Sequence, residues 1–393
     1  MPDTMVRLPI SNHLVGSDYT VTLSIGQRAQ PFSFLLDTGS SALAIGRNVY
    51  DPANDPSAQT TKLLQLAHYL SNAFVGGVVT TTLSLTDEGT AKAVNLSGVN
   101  LAVAYDKRTD NFGKADGIFG LAYEALDNAY LMPVDTWQNQ YDSDQVGLGK
   151  KCDLTPCFDQ LIDAGLIGRK FAFSVRRSLM SEGQDDPAAD PLNSGLFILG
   201  GGDECDDLYS GDFTNLAVLH AQHYSVNLLS VQVGDQAPIP VQPIAPGSNA
   251  PSNAFIDSGT PNLLLDQDLY DQIIAAFAAI DSGFADALKQ YPFGGGGCDQ
   301  TEIDLGKWPP LKLGFQGSDG NPAVLTVEAE NYWQFDAAGK GFSLAVIAGD
   351  GGMMGGQSII GLPIFSGSYV VFDRTSSNGA GVIRFARQSG GSA

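Results

Sequence analysis

The chain has 393 residues and carries 43 acidic against 21 basic side chains, a formal net charge of −22. So acidic a protein is not a general nucleic-acid or anionic-membrane binder, since both need basic surface, and no apolar run approaches the roughly 20 residues that span a bilayer. Its 43% hydrophobic and 16% charged content describes packed domains, and the length suits two or three of them.

From Met1 to Gly16 there is no basic-then-apolar signal pattern. A chain that starts natively at Met1 is therefore expected to be cytoplasmic; the alternative is a secreted mature form whose signal and propeptide have been removed. Short apolar or alternating runs follow at Tyr19–Ile25, Phe32–Leu36, Val78–Leu85 and Val99–Tyr105. Further runs are Phe171–Val175, Leu196–Leu199, Tyr224–Val233 and Tyr369–Phe372. They read as strands, with turns supplied by 46 Gly and 20 Pro.

Helical signals are few. Thr155 and Pro156 read as N-cap and first turn of a helix that buries Phe158, Leu161 and Ile162 and stops at Gly165. A second helix is expected from about Asp268 to Ile280, with Leu269, Ile273 and Phe277 on one face. The polar stretch Arg176–Ser194 is the best domain boundary, which divides the chain into residues 1–190 and 191–393.

Four cysteines are too few for a disulfide scaffold. Cys152 and Cys157 are spaced to close a small loop, whereas the pairing of Cys205 and Cys298 cannot be read. His220 and His223 have no acidic partner motif and read as structural polar residues, not metal ligands. No glycine-rich stretch has phosphate-loop spacing. No metal or other cofactor is expected.

Two segments 220 positions apart repeat each other: Phe34-Leu35-Leu36-Asp37-Thr38-Gly39-Ser40 and Ala254-Phe255-Ile256-Asp257-Ser258-Gly259-Thr260. Each is followed by two apolar residues and glycine, Ile118-Phe119-Gly120 and Ile359-Ile360-Gly361. A lone Asp-Thr-Gly is usually just a turn; two copies in the same order imply two related lobes. An Asp at the end of a buried strand needs hydrogen bonds, and the turn glycines, Gly39 and Gly259, let backbone N–H groups approach it. Ser40 and Thr260 are placed to bond the outer carboxylate oxygens, and Thr38 and Ser258 to clamp the lobes together. Two carboxylates brought close share a proton. Such a pair can act as base toward water and acid toward a carbonyl.

These motifs closely resemble the pepsin family of aspartic endopeptidases over almost the whole chain. Asp116-Gly117-Ile118-Phe119-Gly120-Leu121-Ala122-Tyr123 matches the family closely, as do Leu199-Gly200-Gly201 and Phe372-Asp373-Arg374. The resemblance implies an all-β, bilobal acid protease fold of two pseudo-two-fold-related lobes with short helices. It also implies peptide hydrolysis by Asp37 and Asp257 through water, at acid pH, with Tyr69 reaching substrate from a flap. By position, Leu35, Phe112, Ala115, Ile118, Phe255 and Ile359 are expected beside the scissile bond, favouring hydrophobic residues there. The partners are peptide or protein substrates, with no nucleic acid and no membrane, and the chain is expected to act as a monomer.

Departures from the family are specific. Leu70-Ser71-Asn72 replaces the usual glycine-containing flap turn, Ala44 the tryptophan behind the flap tyrosine, and Leu362 an aspartate; the usual disulfides are largely missing. If Met1 is the native start, the chain is expected to resemble the propeptide-free bacterial homologues; the alternative is a fungal or other secreted mature form. The rival reading is a catalytically inert pepsin-fold protein that binds or inhibits a partner, but such proteins tend to lose an Asp or a turn glycine.

Overall fold

A computed structural model of the chain describes residues 4–11, 19–68, 73–105, 112–113, 115–138, 149–176, 191–244, 250–376 and 379–389. The chain forms two compact units. One comprises Met1–Ile10, Thr20–Arg169 and Phe197–Gly201; the other comprises Ser11–Tyr19, Lys170–Leu196 and Gly202–Ala393. The strand over Lys170–Val175, placed in the first half by a cut at residue 190, belongs to the second unit, where it pairs antiparallel with the strand over Ser368–Asp373.

The first unit is built on β1 (Val6–Ser11), β2 (Thr20–Ile25), β3 (Gln30–Asp37), β4 (Leu43–Gly46), β5 (Gln59–His68), β6 (Ala73–Thr86), β7 (Ala93–Ala104), β8 (Gly117–Gly120), β9 (Asn128–Leu131) and β10 (Lys150–Asp153). They line up in the order β10-β9-β5-β6-β7-β4-β8-β3-β2-β1. The long pair β6 and β7 runs antiparallel from Gly76↔Ala104 to Thr86↔Ala93. Apolar side chains from β3, β4, β6, β7 and β8 meet in one cluster that includes Leu35, Ala44, Phe74, Val78, Ala102 and Ile118. Helix α1 (Cys157–Asp163) buries Phe158 and Leu161 as expected, with Pro156 rather than Thr155 at its cap. Gly165, at φ +68°, ends the turn in the left-handed region that glycine tolerates.

The second unit holds four strand groups. β11 (Lys170–Val175) pairs with β27 (Ser368–Asp373), which pairs with β28 (Val382–Gln388) and that with β13 (Tyr209–Ala217). A six-stranded sheet runs β14 (His220–Ala221), β15 (Tyr224–Val226), β18 (Ala254–Ile256), β26 (Ser358–Ile360), β19 (Leu263–Leu265) and β25 (Ile347–Gly349). Smaller groups are β17 (Ile239–Pro240), β16 (Leu228–Val233), β21 (Leu311–Gln316) and β22 (Pro322–Val327), and β20 (Cys298–Asp299), β24 (Phe342–Ala345) and β23 (Trp333–Gly339). The remaining strand, β12 (Ser194–Leu199), divides between the two units.

Two expectations change here. The run Tyr224–Val233 is not one strand: it breaks at Asn227, and the chain passes from one sheet to another. The Asn253 side chain bridges the break, accepting from Leu228 N at 2.8 Å and donating to Leu228 O at 2.8 Å. Helix α2 (Gln267–Ile280) is followed at once by a further helix beyond the one expected, α3 (Ser282–Gln290). Its start is set by Asp281, whose side chain accepts from Gly283 N at 2.8 Å.

A Cys152–Cys157 loop does not form, and all four cysteines are thiols. Cys157 points into the core from the first turn of α1, while Cys152 lies on β10 opposite Ala129. Among the described residues no helix is long and apolar enough to cross a membrane.

Candidate active site

Asp37 is the last residue of β3, a strand whose final residues are buried. β3 runs parallel to β8, with Asp37 opposite Gly120, and β4 runs antiparallel to β8 on its other side. The chain that leaves Asp37 therefore crosses over β8 and returns along its far edge. The loop is tied to the end of β8: Gly120 N donates to Ala42 O at 2.9 Å, Leu121 N to Asp37 O at 2.7 Å and Ala122 N to Ser40 O at 2.7 Å. Within it, Gly39 N donates to Asp37 Oδ1 at 2.7 Å, and Ser40 Oγ donates to Oδ2. Asp37 is 5% exposed and Thr38 beside it is fully buried.

Asp257 repeats this arrangement in the second unit. β18 runs parallel to β26 with Ile256 opposite Ile360, and β19 runs antiparallel to β26. Gly259 N donates to Asp257 Oδ1 at 2.8 Å, and Thr260 Oγ1 donates to Oδ2 at 2.7 Å. Asp257 is 8% exposed and Ser258 is fully buried. Each Asp thus accepts a backbone bond and a hydroxyl bond, which offset the cost of burying the carboxylate.

The match extends to five strands. β7-β4-β8-β3-β2 and β25-β19-β26-β18-β15 have the same order and the same sequence of parallel and antiparallel pairings. The downstream glycines have a steric purpose. A Cβ on Gly120 would lie 2.5 Å from the Ser41 carbonyl carbon, and one on Gly361 would lie 2.1 Å from Thr260 O. Only glycine lets the supporting strand run directly beneath the Asp loop.

The other expected residues fall as follows. Leu35, Phe112 and Ile118, with Ala115, share one apolar cluster of the first unit and keep 5–7% exposure for the first three. Phe112 meets Phe74 edge-on at 5.8 Å. Phe255 and Ile359 are paired neighbours on β18 and β26, at 6% and 1% exposure. Tyr69 lies outside the described residues. Ala44 is fully buried against β7 and β8, and Leu362 is fully buried in the short helical turn after Gly361.

Sequence reasoning passed over His223. It directly precedes β15, and its ring lies on Phe255 at 4.7 Å between centroids. Burial pushes its pKa below the usual imidazole value, against the opposing pull of the Asp257 charge. A signal was present: Tyr224-Ser225-Val226 repeats Tyr19-Thr20-Val21, the strand that pairs beside the first Asp.

Two strand-Asp-hydroxyl-Gly-hydroxyl loops on matching five-strand frames define an aspartic hydrolase. A model of the eukaryotic aspartyl protease family matches residues 18–382, and the chain belongs to that family of pepsin-like aspartic endopeptidases. It is 25% identical to syncephapepsin of Syncephalastrum racemosum over 91% of this chain and 75% of that protein. It is 24% identical to a vacuolar aspartic protease of Candida albicans over 70% of this chain, and the match spans 57% of that protein's length.

Proposed function

We propose that Asp37 and Asp257 jointly activate a water that attacks the peptide carbonyl, one carboxyl as general base and the other as general acid. The chemistry needs one proton on the pair, so activity belongs at acid pH. The observation that carries this reading is the duplicate capture of each carboxylate by a glycine N–H and a hydroxyl. In each loop the carboxylate accepts both bonds, which aim it. Ser40 and Thr260 tune the pair, Thr38 and Ser258 clamp it, and Tyr69 closes over an extended substrate. Leu35, Phe112, Ile118, Phe255 and Ile359 give the preference for apolar residues beside the cleaved bond.

The test is cleavage of a hydrophobic peptide between about pH 3 and 6, with and without pepstatin, by the natural protein and by Asp37→Ala and Asp257→Ala. Activity that pepstatin blocks and either substitution abolishes is the expected result. A protein silent across that range, or one still active without Asp37, would overturn the reading.

A further inference from the structure

The register of β15 against β18 singles out one further side chain. Tyr224 pairs with Ile256 and Ser225 with Phe255; continued by one residue, the same register sets His223 directly across from Asp257. Residues opposite one another on antiparallel strands share a face, and diagonal neighbours come within reach of aromatic rings. The contact of His223 with Phe255 is that diagonal. Tyr224, which points the other way, is fixed in the core: it is 1% exposed, packs edge-on to Phe372 at 4.6 Å and accepts from Arg374 Nε at 2.8 Å. The anchor next door leaves the imidazole little freedom. Asp257 is the charged group that acts on it from β18; on its own hairpin the ionisable neighbour is His220, which is exposed; Arg374 is held on the opposite face by Tyr224.

In a chain of net charge −22, a basic ring beside an acid loop and tilted by 32° against an aromatic side chain is a local exception. We propose that His223 is a specificity-determining residue: with Phe255 it lines the position taken by a substrate side chain next to the scissile bond, and as imidazolium it favours a carboxylate there. This rests on the reading of Asp257 as a catalytic carboxylate. An aromatic floor with a cationic donor accepts the methylene stem of glutamate on Phe255 and its carboxylate on the imidazole N–H.

Paired peptides that differ only by Glu or Gln at each position flanking the cleaved bond test this, through the ratio of kcat/KM from pH 3.5 to 7.5. At one position the ratio should peak at about three- to ten-fold near pH 5. It should fall toward one below about pH 4, where glutamate protonates, and again as the imidazole loses its proton, below its usual value of about 6.5. His223→Gln and His223→Phe, the latter keeping a ring against Phe255, should both flatten the ratio, and His223→Lys should carry the preference past pH 7. A ratio unchanged in the Gln and Phe variants, or one with no peak in the natural protein, would overturn the proposal. Binding of the same peptides to Asp37→Asn, followed by fluorescence anisotropy, separates the two readings. If Asp37→Asn still cleaves, the paired-Asp reading fails while the Glu-to-Gln ratio still decides the role of His223.

Discussion

The two Asp loops differ most where they leave the carboxylate. In the first, both Leu121 and Ala122 donate backbone bonds to the loop, to Asp37 O and Ser40 O. In the second, the residue matching Ala122 is Pro363, which has no N–H to give. There Leu362 N donates to Thr260 O at 2.9 Å, and Asp257 N donates to Ile360 O at 3.0 Å. The carboxylates are nevertheless held alike, by a glycine N–H and a hydroxyl. The lesson is that the frame behind the loop can be rewired while the bonds that aim the carboxylate stay the same. Those bonds are the part of the repeat that chemistry constrains.

The strongest way to break this equivalence is to remove each carboxylate in turn. Asp37→Ala and Asp257→Ala should each lower kcat by at least about 1000-fold, because neither remaining Asp can be base and acid together. The double substitution should add little to either single one, as for residues that act as one unit. A tenfold or greater inequality between the two singles, measured on one peptide at one pH, would show that the copies are not functional equals.

A second asymmetry concerns stability. Asp127 of the first unit is 3% exposed, accepts from Gln65 Nε2, and lies near Asp159 and Glu124. Burial, with a smaller push from those acids, raises its pKa to about 8, from 3.8 when solvated. The folded unit therefore keeps this proton across a range in which the unfolded chain has released it. The contribution of Asp127 to stability is full below about pH 4 and is lost as pH rises toward 8, on the order of 5 kcal/mol in all. Asp127→Asn retains an oxygen for Gln65 and removes the titration, so it should flatten the decline. Denaturant unfolding between pH 4.5 and 8 measures this; a natural protein equally stable at both ends would refute it. The neighbouring Cys157 thiol is pushed up by the same burial and stays protonated throughout.

The supporting glycines come next. Gly120→Ala and Gly361→Ala each drive a methyl into backbone atoms that cannot yield, and should cost about 1–3 kcal/mol or more. Gly361 should be the worse of the two, since its new carbon would meet two carbonyl oxygens, Thr260 O at 2.1 Å and Asn262 O at 2.3 Å. Melting temperatures of the pair give the order; Gly120→Ala melting lower than Gly361→Ala would contradict it.

Much of this was legible from residue order. The strands, the two Asp loops and their distant glycines are local or repeated patterns, and a repeat is visible without knowing the fold. What escaped was set by tertiary contacts. Asn253 breaks a run that alternates like one strand, and Asp281 starts a helix inside a turn-like Asp-Ser-Gly. The thiols of Cys152 and Cys157 are five positions apart but belong to a sheet and a core. His223 read as an ordinary polar residue because the register that sets it across from Asp257 joins segments some thirty residues apart.

The smallest expected effect is the most discriminating for the equivalence of the loops. Ser40 and Thr260 make the same bond, to Oδ2 of their own Asp, and differ by one methyl group. If only the hydroxyl matters, Ser40→Thr and Thr260→Ser should each change kcat/KM by less than about threefold. Removing the hydroxyl should cost more: Ser40→Ala and Thr260→Val leave a largely buried carboxylate oxygen short of a donor, a loss of about 1–3 kcal/mol. That loss would appear as a fall of roughly tenfold or more in kcat/KM and as a displaced acid limb of the pH profile. Thr260 is 7% exposed, so loss of its methyl leaves only a small void. Should Thr260→Ser fall as far as Thr260→Val, the methyl would be holding the hydroxyl rotamer, and the second loop would depend on packing where the first depends on hydrogen bonding alone.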